Sequence, residues 1–295
     1  MTGSVDPLAA FFASPTVHAA LIVGGFVSVV AGIVGVFVVV RGQSFAGHAL
    51  ADLGAVGGSG AFLIGIDQVA GFVGAGIIAA LLMEIVGIRR IQGRDIATGI
   101  VFALGLGLTA LFLYWDTTTG STGNAAISVL FGSLFVIDQS VVPVIVVLSI
   151  IALLLIGAVY RWLLMDSLDP DLAAARGVPV RLTGIVFLIA LALAVELSSL
   201  SIGAILSTAL LIGPAATALQ FTRRFGPALV ASAGLALAST WIGCLISFES
   251  YYWAGRSDNW PVSFCIVALI FIAYVTTRIA RGLSRRRLAA APVEA

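Results

Sequence analysis

Residues 17–40 read VHAALIVGGFVSVVAGIVGVFVVV, an apolar run without a formal charge that Arg41 closes. A hydrocarbon core about 30 Å thick is crossed by about 20 helical residues, so this run is long enough to span a bilayer. The rest of the chain has the same character. Of its 295 residues 60% are hydrophobic and 10% charged, with a mean hydropathy of +1.15. A soluble domain carries about a quarter charged residues. Composition therefore excludes that class and predicts an all-α integral membrane protein, since in lipid a helix satisfies its own backbone.

Eight further segments meet the same length: 46–66, 68–88, 96–115, 140–162, 183–200, 202–220, 226–248 and 261–279. About nine transmembrane helices are expected. The second is glycine-rich, and the sixth and seventh are short and nearly fused. The N-terminal segment lacks the basic region of a cleavable signal peptide, so the first run is expected to be a retained span. All fifteen basic residues are Arg. Cytoplasmic loops hold the excess of basic residues. With nine spans and an inner C-terminus, Arg41, Arg89, Arg90, Arg94, Arg161, Arg176, Arg181, Arg223, Arg224, Arg278, Arg281, Arg285, Arg286 and Arg287 all lie inside. Only Arg256 falls outside, in a loop with Tyr251, Tyr252, Trp253 and Trp260 as an interfacial aromatic cluster. Residues 1–16 are then extracytoplasmic, 17–280 form one membrane domain, and 281–295 are a basic cytoplasmic tail.

Two stretches are neither spans nor ordinary loops. Residues 125–137, AAISVLFGSLFVI, are too short to cross and too apolar for water, which predicts a re-entrant or interfacial helix on the outer side. Residues 166–182, DSLDPDLAAARGVPVRL, are the longest polar insertion and lie on the inner side. Asp169 reads as an N-cap, Pro170 as the first helical residue and Asp171 as a favourable charge in the first turn. Gly177 and Pro179 end the element, predicting a short cytoplasmic helix over 170–176.

The complete absence of Lys rules out a Walker A loop, so this chain has no nucleotide site of that kind. No G-x-S-x-G or H-E-x-x-H motif occurs, and a net charge of +1 offers no general attraction for nucleic acid. Cys244 and Cys265 fit no metal or redox spacing and read as packed or lipid-facing thiols. The chemistry concentrates in residues 41–60, RGQSFAGHALADLGAVGGSG. His48 and Asp52, four apart, share one helix face, where an imidazole and a carboxylate can hold a divalent cation or simply hydrogen-bond to each other. Gly54, Gly57, Gly58 and Gly60 let another helix approach closely. Two other acids fall inside spans. Glu84 lies near enough to the inner interface to pair with an Arg. Glu196, followed by Ser198, Ser199 and Ser201, either lines an outer vestibule or makes a satisfied polar contact.

Four stretches together resemble one family, the metal-type permease subunits of bacterial ABC importers, which take up zinc or manganese. They are GVFVVVRGQSFAGHALADLGAVGGSG, RRIQGRDIATGIVFALGLG, ISVLFGSLFVI, and LDPDLAAARGVPVRL with SIGAILSTALLIGPAATAL, in the family's order. The resemblance implies a permease fold like that of the vitamin B12 importers and a homodimer whose interface forms the translocation path. It also implies two ATPase subunits beneath, which bind Mg-ATP and do the hydrolysis, and an extracytoplasmic metal-binding protein on top. It places the chain in the bacterial cytoplasmic membrane as a transport subunit that is not itself an enzyme and binds no cofactor. The transported divalent metal would pass His48, Asp52 and Glu196. Asp169, Pro170, Leu172, Ala175, Arg176, Gly177 and Pro179 would couple to the ATPase. Family members place Asp where this chain has His48 and His where it has Asp52, a reversed pair. Here Ala55 and Val56 precede Gly57 where the family has L-P-G, so a kinking proline is missing. Zinc, manganese and iron stay open as substrates, as does a chelate such as haem or a siderophore. A self-contained secondary carrier is the reading from another class, but no internal repeat supports it.

Overall fold

The computed structural model describes residues 7–86, 94–119, 125–132, 134–222, 224–253 and 260–289, and among these every regular element is helical. A short α1 (Pro7–Ala13) leads through Ser14 into α2 (Pro15–Val40). There follow α3 (Ser44–Ile64), α4 (Gln68–Val86), α5 (Arg94–Thr119) and the short α6 (Ala125–Phe131). After them come α7 (Val142–Leu168), the short α8 (Pro170–Ala175), α9 (Val180–Ile202) and α10 (Ala204–Phe221). The chain closes with α11 (Phe225–Glu249), a 3₁₀ turn (Ser250–Tyr252) and α12 (Val262–Ala289). Seven of the helices are long and apolar enough to cross a membrane. The other two long ones are α3, which carries His48, Asp52 and the glycines, and α5.

Burial sorts these helices into an inner and an outer set. The apolar window of α9 is 83% buried and that of α2 72%, against 28% for α7 and for α12. α2 and α9 therefore form the core, and the outer helices keep apolar side chains such as Leu154 and Phe271 exposed, as a lipid-facing surface requires. At the arginine-bearing end, Phe37 of α2 gathers Tyr160 of α7, Phe187 of α9 and Phe225 of α11, with ring centroids 6.2, 6.4 and 5.0 Å away. Small residues bring backbones together where α2 meets its neighbours. A Cβ on Gly32 would lie 2.8 Å from Ala233 Cα of α11, and Ser232 Oγ donates to the Gly32 carbonyl at 2.7 Å.

Two features of the sequence acquire a geometric reason. The nearly fused sixth and seventh runs are α9 and α10, parted by Gly203 alone at φ +92°, a conformation that L side chains rarely adopt. Gly132, at φ +82°, ends α6 against this corner, where a Cβ would meet the carbonyl of Ser201 at 2.5 Å. The apolar 125–137 stretch thus becomes a seven-residue helix and a turn tucked against the α9–α10 junction, with Val129 and Leu134 buried. The segment missing the family's proline is an unbroken α3, which ends at Gly65 in a left-handed C-cap of φ 70°.

Candidate functional site

The α3 glycines are arranged so that one face of the helix meets α9 and α4 at close range. Gly54 stands directly against the Glu196 carboxylate of α9, and Gly76 of α4 also closes on the same side chain. Gly57 and Gly71 set the backbones of α3 and α4 together, each leaving no room for a Cβ on the other. Gly58 receives the ring of Phe72. Glycine here makes space for a carboxylate within the membrane domain.

Glu196 is completely buried, and neither carboxylate oxygen has a hydrogen-bond partner among the described residues. The Asp52 carboxylate lies within electrostatic reach of it. Asp52 is also buried, with Oδ2 unpartnered, and Gly105 of α5 is so close that a Cβ there would touch Asp52 Cβ at 3.4 Å. His48, one turn earlier, stacks on Phe102 of α5, ring centroids 4.9 Å apart, and leaves Nδ1 unpartnered. No hydrogen bond joins His48 to Asp52 among the described residues. An unpartnered carboxylate in low dielectric is costly. Carboxylate oxygen and imidazole nitrogen are donor types that suit a divalent transition metal. Among the described residues no group of three His, Cys, Asp or Glu stands close enough to hold a metal ion.

At the arginine-bearing end, α8 forms as its sequence predicts. Asp169 Oδ1 accepts the Leu172 backbone N–H at 2.9 Å, Pro170 starts the helix and Asp171 lies in the first turn. The helix ends one residue before Arg176, and Gly177 turns the chain at φ +78°. Pro179 is the N-cap of α9. Ala173 is the buried anchor, while Leu172, Ala175 and Arg176 are exposed. At the opposite end Asp138 Oδ1 accepts the Ser140 N–H at 2.9 Å, which holds its carboxyl below the usual carboxylate range.

Sequence patterning missed part of this arrangement. Gly76 and Gly105 have no ionisable residue within one helical turn to draw attention to them, yet each abuts an acidic side chain. On α5 both Thr109 and Asp116 are buried, and Asp116 falls one residue beyond the expected end of its span. Glu84 is half-buried, and Arg89, the arginine nearest to it in sequence, lies outside the described residues. Cys244 and Cys265 are buried free thiols, as expected.

Comparison with known proteins gives the arrangement a context. The chain is 28% identical over 254 residues to "Manganese import system permease protein ScaB" of Streptococcus gordonii, covering 86% of this chain and 90% of the relative. It is 30% identical over 248 residues to the protein of that name from Streptococcus pneumoniae, covering 84% of each. To "Manganese transport system membrane protein MntC" of Halalkalibacterium halodurans it is 28% identical over 275 residues, covering 92% of each. Among solved structures, PsaBC from Streptococcus pneumoniae in complex with Fab superposes with a TM-score of 0.77 at 25% identity, over 92% of this chain and 95% of that one. A metal-chelate type ABC transporter in an inward-facing conformation shares the fold, with a TM-score of 0.69 at 16% identity over 95% and 91% of the two chains. Residues 13–278, nearly the whole membrane domain, match the ABC 3 transport family, and the chain belongs to that family.

Proposed function

We propose that this chain is the permease subunit of an ATP-driven importer for a divalent transition-metal ion, with manganese as the first substrate to test. The observation that carries the reading is the Glu196 carboxylate, fully buried without a partner and set between α3 and α4 within reach of Asp52. The relatives named as manganese import permeases support the choice of ion. In this reading nine helices span the cytoplasmic membrane, with the N-terminus outside and the C-terminus inside. The metal passes Glu196, Asp52 and His48 by exchanging part of its water shell for their oxygens and nitrogen. The contact must be weak enough to release the ion. A second copy of the chain completes the path, and an extracytoplasmic metal-binding protein delivers the ion. A separate ATPase subunit docks on α8, where Leu172, Ala175, Arg176 and Gly177 are exposed. ATP hydrolysis there tilts the two permeases between outward and inward access.

The test is uptake of radiolabelled Mn²⁺ by cells that lack their own importers and express the chain with its ATPase and binding protein. Zn²⁺ and Fe²⁺ serve as competitors. The double variant His48→Ala/Asp52→Ala and the single variant Glu196→Gln are expected to keep the ATPase bound and lose uptake. Uptake at the unaltered rate in both variants overturns the assigned path. Competition by Zn²⁺ stronger than by unlabelled Mn²⁺ reassigns the substrate.

A further inference from the structure

Above α8 lies a buried ion pair that joins three helices. Arg41 closes α2, and Asp166 sits in the last turn of α7. Arg41 Nη1 and Asp166 Oδ2 are 2.7 Å apart, with side-chain exposures of 9% and 2%. The same nitrogen donates to Ser167 Oγ at 3.3 Å, and the guanidinium lies 5.0 Å above the ring centroid of Phe187 in α9.

Stability alone is a poor account of this pair. The desolvation of two buried charges offsets most of their attraction, and apolar residues of similar volume hold such positions as well or better. An acid in the last turn of a helix also opposes the helix dipole. What the pair supplies is a directional tie between elements that otherwise meet through sliding apolar surfaces. Its position gives that tie a use. Asp169, three residues after Asp166, caps α8 and is the single residue between α7 and α8, so α8 follows directly on the end of α7. Beyond Arg41, Gly42 at φ +63° and Gln43 lead at once into α3, which carries His48 and Asp52. Phe187 precedes Glu196 on α9 by nine residues, a rigid rod of about 13 Å at 1.5 Å per residue. Both helices that bear the site therefore hang from one guanidinium.

Resting on the reading of α8 as the ATPase dock, we propose that Arg41 and Asp166 are positioning residues, the joint through which movement of α8 reaches α3 and α9. The test uses the complete complex of this chain, its ATPase and its binding protein in proteoliposomes, measuring ATP hydrolysis and Mn²⁺ uptake together. The variants are Asp166→Asn, Arg41→Gln, the neutral pair of both, and the apolar pair Arg41→Met/Asp166→Leu. The ATPase is expected to stay bound and hydrolyse ATP in each, while Mn²⁺ moved per ATP falls about tenfold, the upper part of the range for residues that modulate coupling between sites. Asp166→Asn keeps size and can still hydrogen-bond, so it carries the test if a variant that shortens Arg41 fails to fold. An apolar pair that restores wild-type Mn²⁺ per ATP overturns the joint and leaves a packing role. So does an unchanged ratio in the neutral pair. Leu172→Asp separates the two layers of the argument: an ATPase that remains bound and coupled in that variant overturns the docking reading itself and the joint with it.

Discussion

Replacing Gly54 by Ala places one methyl group where the structure has a carboxylate. The new Cβ would overlap Glu196 Oε2, Cδ and Oε1, and Gly76 of α4 already packs against the same side chain. Glu196 must rotate out of its box or push α3 from α9. In a helix, Ala is favoured over Gly by about 1 kcal/mol, whereas overpacking a filled interior costs about 1–3 kcal/mol. The net destabilisation of about 0–2 kcal/mol leaves the chain folded and the carboxylate displaced. Mn²⁺ uptake is expected to fall at least about tenfold, equivalent to about 1.4 kcal/mol of lost interaction along the path. The assay pairs uptake in cells with thermal unfolding of the purified complex in detergent. Gly60→Ala on the same helix is the control, because its Cβ would make only an ordinary 3.5 Å contact with Phe112 and both readouts should hold. Adding Glu196→Asp to Gly54→Ala shortens the side chain by one methylene and should recover the stability. Wild-type uptake in Gly54→Ala would refute the claim that Glu196 in this position meets the ion.

Asp169→Ala removes the α8 N-cap and should cost about 0.5–2 kcal/mol of local helix stability; the readout is weaker co-purification of the ATPase with little change in the melting of the membrane domain. Ser232→Ala deletes the bond to the Gly32 carbonyl and should lower stability by about 0.6 kcal/mol, a typical value for such bonds in membranes. Gly32→Ala forces a methyl onto the Ala233 backbone, which cannot yield, and should cost about 1–3 kcal/mol. Melting of the two variants side by side checks the order, and a more stable Gly32→Ala would contradict the close α2–α11 approach. An impermeant maleimide should label neither buried native thiol, Cys244 or Cys265. It should label Asp138→Cys in intact cells and Arg176→Cys only after permeabilisation; the reverse pattern inverts the topology.

Hydropathy located the long helices well because in lipid each span must satisfy its own backbone, which ties apolar length to helix length. The 17–40 run became α2, and the 46–66 run became α3 from Ser44 to Ile64. Local chemistry was equally legible where it acts within one turn: Asp169, Pro170 and Gly177 marked α8 to within a residue. His48 and Asp52 stood out because ionisable groups are rare in such a chain. Gly76 and Gly105 did not, since a glycine's meaning lies in what approaches it. Arg41 and Asp166 were visible only as topology markers, because their pairing joins residues 125 positions apart.

The sequence by itself determined that the chain lives in a membrane as helices, where the centres of its long helices fall, and that any ATP chemistry of the Walker type lies elsewhere. Those properties depend on composition, length and near neighbours. Only the tertiary structure decided that Gly54 and Gly76 both pack against Glu196, and that one guanidinium ties α2, α7 and α9 together. The physical reason is that apolar helices in lipid tell little about their own rotation or partners. Which faces meet is set by steric fit between small residues and by a few buried polar groups, and both exist only once the helices are packed.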